Sequence, residues 1–550
     1  MLGTMRAHLL ATILLSLASI AHSYGDDEVT RVFVFAGQSN MVGSDSRVSD
    51  IERFPPFSGL GSPQEGVRFS YVLGRENKTR SNGWTILQPV NGIVGPELSF
   101  AREVRRHVDA PLAIIKCAAG GTHLGGDWNP VEPIGFKMYP LLLEQVRGAL
   151  AELEQEGIPY RLEGFVWHQG ENDMFEASYM PAYGQNLAGF VSAVRRDLEA
   201  PALRFYVGEL CTKTIWGMDL RPRMYAIRNG QTAVASADPL VDYIPTSHVG
   251  VEIGRPVGLH YHYGTLGQLE HGANYAEAYL RNIGLGPEPS PGLETWPHGD
   301  GETVRLFVLA GHRNMEGERA FIQELEAMPD DSGLLEPFQN IPYRYEVGGG
   351  FRISNGWEAL APRGPYDTFG PELSMAAELN KEGGSPMAIA KFTHSGSQII
   401  DWTPDGSEAE ARNLYPSFIR FVKESVEALE STGNEVELAG IFYHLGENDM
   451  SFHPYRRDAS RRLSEIIEQS RKDLGQPELS WFVSQQAPTD HESVNGIDVV
   501  EEVAELAAAD PRLHHILALD PPPQDRAIVL DTAGILWLGR QMAGAYLATR

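Results

Sequence analysis

Cysteine is almost missing: 550 residues hold only Cys117 and Cys211. Two thiols cannot make the disulfide framework of a small extracellular scaffold, so the fold must rest on apolar cores. Each closes an apolar run, "APLAIIKC" and "LRFYVGELC", which reads as a strand end carrying a small buried thiol. Basic residues are also short, 45 Lys and Arg against 73 Asp and Glu, for a net charge of −28. That balance repels nucleic acid and anionic membrane surfaces and leaves an uncharged ligand, such as a sugar, as the better fit. Beyond the first two dozen residues no apolar run is long enough to span a bilayer. The early run, Leu9 to Ala21 after Arg6 and before Ala21-His22-Ser23, has signal-peptide grammar over residues 1–23. It predicts a chain exported to the periplasm or beyond, with no membrane attachment after cleavage. Asn77-Lys78-Thr79 is a glycosylation sequon.

What the chain has in abundance is itself. "RVFVFAGQSNMVG" at Arg31 returns as "RLFVLAGHRNMEG" at Arg305, "GPELSFA" at Gly95 as "GPELSMA" at Gly370, and "GFVWHQGENDM" at Gly164 as "GIFYHLGENDM" at Gly440. The offset drifts only from 274 at Gly37 to 276 at Gly170. A period this long, in unchanged order, is the duplication of a whole domain. Residues 30–285 form the first copy, 286–304 a Gly- and Pro-rich linker, and 305–550 the second. Within each copy, runs apolar on both faces alternate with helical stretches, such as Leu143, Val146, Leu150 and Leu153 on one stripe. The pattern predicts an α/β fold, a parallel sheet with helices on both sides.

In such sheets ligands sit outside the carboxyl ends of the strands. Ser39 ends one strand, Gly120 and Gly121 a second, and the turn "HQGEND" a third, with Gln169, Glu171 and Asn172. His260 and His262 precede the last helix of the copy. A serine after a strand is commonly a helix N-cap. A hydroxyl, an imidazole and several neutral donors on one rim, however, are the parts of an acyl-transfer site. "AAGGT" lacks the lysine and the spacing of a phosphate loop.

"GQSNM" at Gly37 with "GPELSFA", "WHQGE" at Trp167 and a histidine opening the last helix resembles the SGNH-hydrolase superfamily, and within it the sialate O-acetylesterase-like, carbohydrate esterase family 6 group. The likeness covers the first copy and, less faithfully, the second. It implies two tandem flavodoxin-like three-layer α/β/α domains and removal of acetyl groups from an O-acetylated carbohydrate, without metal or organic cofactor. It carries the nucleophile onto Ser39, with Gln38 beside it. Oxyanion donors fall on the Ser39 N–H, on Gly120 or Gly121, and on a side-chain amide, Gln169 or Asn172. The base falls on His262, with His260 as the alternative. The family's aspartate three residues before the histidine is absent, since Leu259 and Val257 stand there. Glu171 is the replacement carried forward as the triad acid, with Asp173 and Glu252 weaker.

The second copy departs where chemistry is expected. Arg313 stands for Ser39, Leu445 for Gln169 and Val529 for His262. This predicts a folded, catalytically silent copy that either holds sugar through Arg313, Glu447, Asp449 and Trp402 or supports the first. The competing reading of the whole chain is a glycan-binding protein of two decayed esterase domains.

Overall fold

Strand β1 (Thr30–Gly37) is buried at every position, as a central parallel strand covered on both faces must be. Its side chains alternate between two cores: Val32, Val34 and Ala36 join one, and Phe33 and Phe35 the other. The computed structural model describes residues 28–550 except 77, 213, 216–217, 252–261, 382–385, 408–412, 451–455, 487–498 and 519–528. Residues 1–23, read from sequence as a signal peptide, and Asn77, Glu252 and His260 therefore lie outside the described residues.

β1 is flanked by β2 (Gln64–Leu73), β3 (Leu112–Ala118), β4 (Tyr160–His168), β5 (Arg204–Gly208) and β6 (Val241–Ile244). They lie in the order β2-β3-β1-β4-β5-β6, all parallel. Two short strands, Thr79–Arg80 and Thr85–Leu87, pair antiparallel with β2. After β1 comes α1 (Ser39–Val42). One face of the sheet carries α2 (Glu97–Arg105) and, from the copy's end, α6 (Gly264–Asn282). The other carries α3 (Met138–Gln155), α4 (Tyr179–Asp197) and α5 (Arg221–Ala237). The α3 stripe sits differently from the expectation: Met138, Leu142, Val146, Ala149 and Leu153 are buried, while Leu143 and Leu150 flank the contact half-buried. The buried stripe steps by four and three residues, and half-buried Leu141 on one edge with Leu143 and Leu150 on the other makes its centre ambiguous in sequence.

The second copy repeats the plan with β7 (Thr303–Gly311), β8 (Phe338–Val347), β9 (Met387–Thr393), β10 (Glu435–His444), β11 (Trp481–Gln486) and β12 (Leu513–Ala518). Their order is β8-β9-β7-β10-β11-β12, again parallel. β7 opens at Thr303, so the last two residues of the segment read as linker are strand. The rest of that segment is laid along the second copy: Leu293 N–H donates to the Trp357 carbonyl at 2.8 Å and the Trp296 indole to Asn434 at 2.6 Å. Cys117 and Cys211 are free and buried.

In both sheets the first strand of the copy lies between the third long parallel strand and the fourth, and the chain builds the sheet outward from it in opposite directions. That reversal opens a crevice at the carboxyl end of β1, bordered by the ends of β3 and β4. Gly37 pairs with Ala118 on one side and His168 on the other. A Cβ at Gly37 would lie 2.0 Å from the His168 carbonyl oxygen, and φ is +151°. Only glycine lets the two strand ends come this close.

Candidate active site

The crevice is a cleft of about 460 Å³ lined by Gln38, Ser39, Gly120, Gly121, Glu171, Asn172 and His262, with Asp45's neighbour Ser44 and with Arg75. Ser39 is the first residue of α1, but the N-cap is Gln38 and no side chain caps the helix. Its hydroxyl is therefore not taken up as a cap. Gly120 lies against it, since a Cβ there would stand 3.4 Å from Ser39 Cβ. Gly121, at φ +72°, packs under the Arg75 guanidinium and the Asn172 amide.

Gln38 and Asn172 work as a pair. Gln38 Nε2 donates to Asn172 Oδ1 at 3.3 Å, while Gln38 Oε1 accepts the Gly170 and Asn172 N–H groups at 3.3 and 3.5 Å. With its oxygen tied back, Asn172 has its Nδ2 donor left for the cleft. Gln169 is a correction to the sequence reading. It is wholly buried, and its Nε2 donates to the Thr122 carbonyl at 3.0 Å and to Asp173 at 2.5 Å. It braces the turn and does not line the cleft. Asp173 in turn accepts the Leu124 and Gly125 N–H groups, and burial pushes its carboxyl up in spite of those donors.

The triad acid is the second correction. Glu171 Oε1 accepts from Asn40 Nδ2 at 2.5 Å and lies 3.7 Å from His168 Nε2. Burial works to raise its pKa, but the hydrogen bond and charge of His168, with the Asn40 amide, hold it below the usual carboxylate value. The imidazole it faces is thus His168, not His262. The partner of His262 is Asp45, whose Oδ2 is 2.6 Å from Nδ1. Gly43 ends α1 in the left-handed region, and Asp45 follows at φ +63°, a conformation that aspartate tolerates better than most residues. The turn after Ser39 thereby swings a carboxylate to the far side of the imidazole. Glu171 reaches the His262 segment only indirectly, through Asn40, whose Oδ1 accepts the Tyr263 N–H at 3.3 Å.

The "GPELS" motif and the lysine of "IIK" explain their own recurrence. Lys116 and Glu97 form a buried pair at 2.6 Å, and Lys391 and Glu372 repeat it at 2.7 Å. Each ammonium also donates to a carbonyl at the end of the short helix, Val42 at 3.3 Å and Glu316 at 3.2 Å. This is a brace for the serine turn, so it survives where the serine does not.

In the second copy Arg313, the first residue of α7 (Arg313–Glu316), is buried. Nε donates to Asn448 Oδ1 at 3.0 Å and Nη1 pairs with Glu318. Asn448, counterpart of Asn172, spends its Nδ2 on the Ser395 and Ser397 carbonyls at 2.9 and 2.7 Å. Arg313, Glu447, Asp449 and Trp402 are each at most 1% exposed, so the sugar grip suggested for them has no open face. Asp449 accepts from the Ile399 N–H at 2.9 Å, and burial pushes its carboxyl up to about 7. An acid whose folded pKa exceeds its unfolded value near ~4 stabilises the fold only while protonated. Its contribution is whole below pH ~4 and is lost as pH rises through the folded value. Asp449→Asn should therefore raise the melting temperature at pH 8 by roughly 3–6 °C and leave it about unchanged at pH 4; calorimetry at the two pH values checks this.

Among the described residues no cluster of three or more His, Cys, Asp or Glu side chains is arranged to hold a metal ion. No described helix is long and apolar enough to cross a membrane.

A serine, an imidazole and an amide brought together over the switch point of a parallel sheet are the geometry of SGNH-type α/β domains, and the chain carries that domain twice. The family follows from comparison. The model of the carbohydrate esterase, sialic acid-specific acetylesterase family matches residues 29–281 and again 303–548, and the chain belongs to that family. A probable carbohydrate esterase of Arabidopsis thaliana is 23% identical over 274 residues, 46% of this chain and 91% of the plant protein. Among solved structures, NanS matches at 17% identity over 47% of this chain and 99% of its own, with a TM-score of 0.36. A carbohydrate acetylesterase from Xanthomonas citri matches at 17% identity over 50% of this chain and 61% of its own, with a TM-score of 0.34.

Proposed function

We propose that the protein is an exported carbohydrate O-acetylesterase with one working centre, in the first copy. The observation that carries this reading is the His262 imidazole, backed by Asp45 at 2.6 Å, lining the same cleft as Ser39. With Nδ1–H donating to Asp45, Nε2 serves as the base. It takes the Ser39 proton as Oγ attacks the acetyl carbonyl. The Ser39 and Gly120 N–H groups and Asn172 Nδ2 receive the developing oxyanion. The sugar hydroxyl departs with the proton from Nε2, and water, activated by the same nitrogen, releases acetate. No metal or organic cofactor enters these steps. The acetylated carbohydrate class comes from family membership. Glycan binding without catalysis drew its support from the missing aspartate, and Asp45 supplies that carboxylate.

The test separates the two acids. Asp45 is largely exposed, 66% at its side chain, so solvent weakens its hold on the imidazole. Asp45→Asn should lower kcat for release of acetate from an acetylated oligosaccharide by about 30-fold, below the full effect of a buried triad acid, with KM unchanged. Glu171→Gln should reduce activity less and lower the melting temperature more. The opposite ranking returns the acid role to Glu171.

A further inference from the structure

Four positions that line the live cleft, Ser44, Gly74, Gly120 and Gly121, correspond in the repeat to Glu318, Gly348, Ser395 and Gly396. In the second copy these same four meet residues 247–250 of the first. A Cβ at Gly396 would lie 2.0 Å from the Ser247 carbonyl oxygen. Ser395 Oγ donates to that oxygen at 3.4 Å. A Cβ at Gly348 would come within 3.1 Å of His248 Cβ, and one at Gly250 within 3.1 Å of the Glu318 carboxylate. His248 is stacked on Phe351, ring centroids 3.8 Å apart and 15° from parallel, and its Nε2 lies 2.9 Å from the Tyr366 hydroxyl. The former cleft is filled by the chain's own first copy.

The inserted segment is joined to the base. Val249 and Val251 share a small buried cluster with Tyr263 and Cys211, and Tyr263 is the residue after His262. Gly267, in the first turn of α6, is so close that a Cβ there would stand 2.0 Å from the Gly250 carbonyl oxygen, and Glu270 accepts the Gly250 N–H at 2.5 Å. On its other side the segment is rooted in the first copy by Glu209, which accepts from the Thr246 N–H at 2.8 Å and from Ser247 Oγ at 2.8 Å.

We infer that the silent cleft of the second copy is a socket for residues 247–250, and that by seating them it fixes the position of His262 over Ser39. The inference rests on the esterase reading and deepens it: the second copy acts on the first through the segment that packs behind the base, and Gly396, Phe351 and Tyr366 are positioning residues. Loss of the nucleophile and base in the second copy is then compatible with retention of its cleft outline, because the outline has a second occupant.

Gly396 lies outside the left-handed region, so Gly396→Ala brings no backbone strain of its own, only a methyl against the Ser247 carbonyl. In the full chain this change should lower kcat on an aryl acetate about tenfold, with KM within about twofold, as expected for a misplaced base in an intact cleft. Amides of residues 263–267 should exchange with deuterium at least about tenfold faster, while those of β7 and β9 are unchanged. His248→Ala should act in the same direction. Burial and the neighbouring Arg352 hold His248 down to about 3, so it is neutral in use. His248→Phe, which keeps the stacked ring, should recover most of the lost kcat. Wild-type kcat together with wild-type exchange in Gly396→Ala, or in His248→Ala should the first variant not fold, overturns the socket. If the unmodified protein releases no acetate, the esterase reading fails separately, and exchange at residues 263–267 decides the socket alone.

Discussion

Ser39→Ala should cut kcat for acetate release by about 10⁵-fold, the scale at which removing a nucleophile leaves only the oxyanion donors and substrate binding at work. The melting temperature should stay where it was. The hydroxyl makes no cap bond for α1, whose N-cap is Gln38, so its removal orphans nothing. Ser39 is also held by the parts that Arg313 retains in the second copy, the Lys–Glu pair and the tight glycine before the turn. A variant that loses activity and stability together would mean that the serine is structural. A variant that stays active would remove the mechanism altogether.

The second large effect separates two amides three residues apart. Asn172→Ala should lower kcat by about 10²–10³-fold, the loss measured when one side-chain oxyanion donor is removed, with KM little changed. Gln169→Ala should act on stability. Its Nε2 is held by the Thr122 carbonyl and Asp173 in a buried site, and taking that donor from the two acceptors costs about 1–3 kcal/mol. Steady-state kinetics on an aryl acetate with parallel thermal melts distinguishes the pair. The reverse assignment, kinetics at Gln169 and stability at Asn172, would put the donor back on Gln169.

Much of the fold could be read from the chain because its signals are local and doubled. Alternating cores under β1, glycine at a strand end and the repeated "GEND" turn each announce themselves within a few residues, and the repeat lets one copy check the other. The sequence leaves the amide open between Gln169 and Asn172 because the two side chains share one turn, and which of them faces the cleft is set by backbone angles, Gly170 at φ +147° among them. Asp45 was missed for a different reason. It lies 217 positions from His262, in a turn whose direction depends on the left-handed residues Gly43 and Asp45, and no motif couples it to the imidazole. Nor does any spacing foretell that residues 247–250 seat in the other copy. Glu318 and Ser395 look like decay when compared with Ser44 and Gly120 of the first cleft, Gly348 and Gly396 look like leftovers of it, and only the packing gives all four an occupant.

On the proposed mechanism a single hydroxyl of the chain, that of Ser39, is activated. Brief treatment of the intact chain with an aryl fluorophosphonate, followed by intact mass and peptide mapping, tests it most directly. One adduct per chain is expected, on the peptide that contains Ser39, formed much more slowly when His262 is replaced by alanine. No adduct, or an adduct on a residue of the second copy, would contradict it.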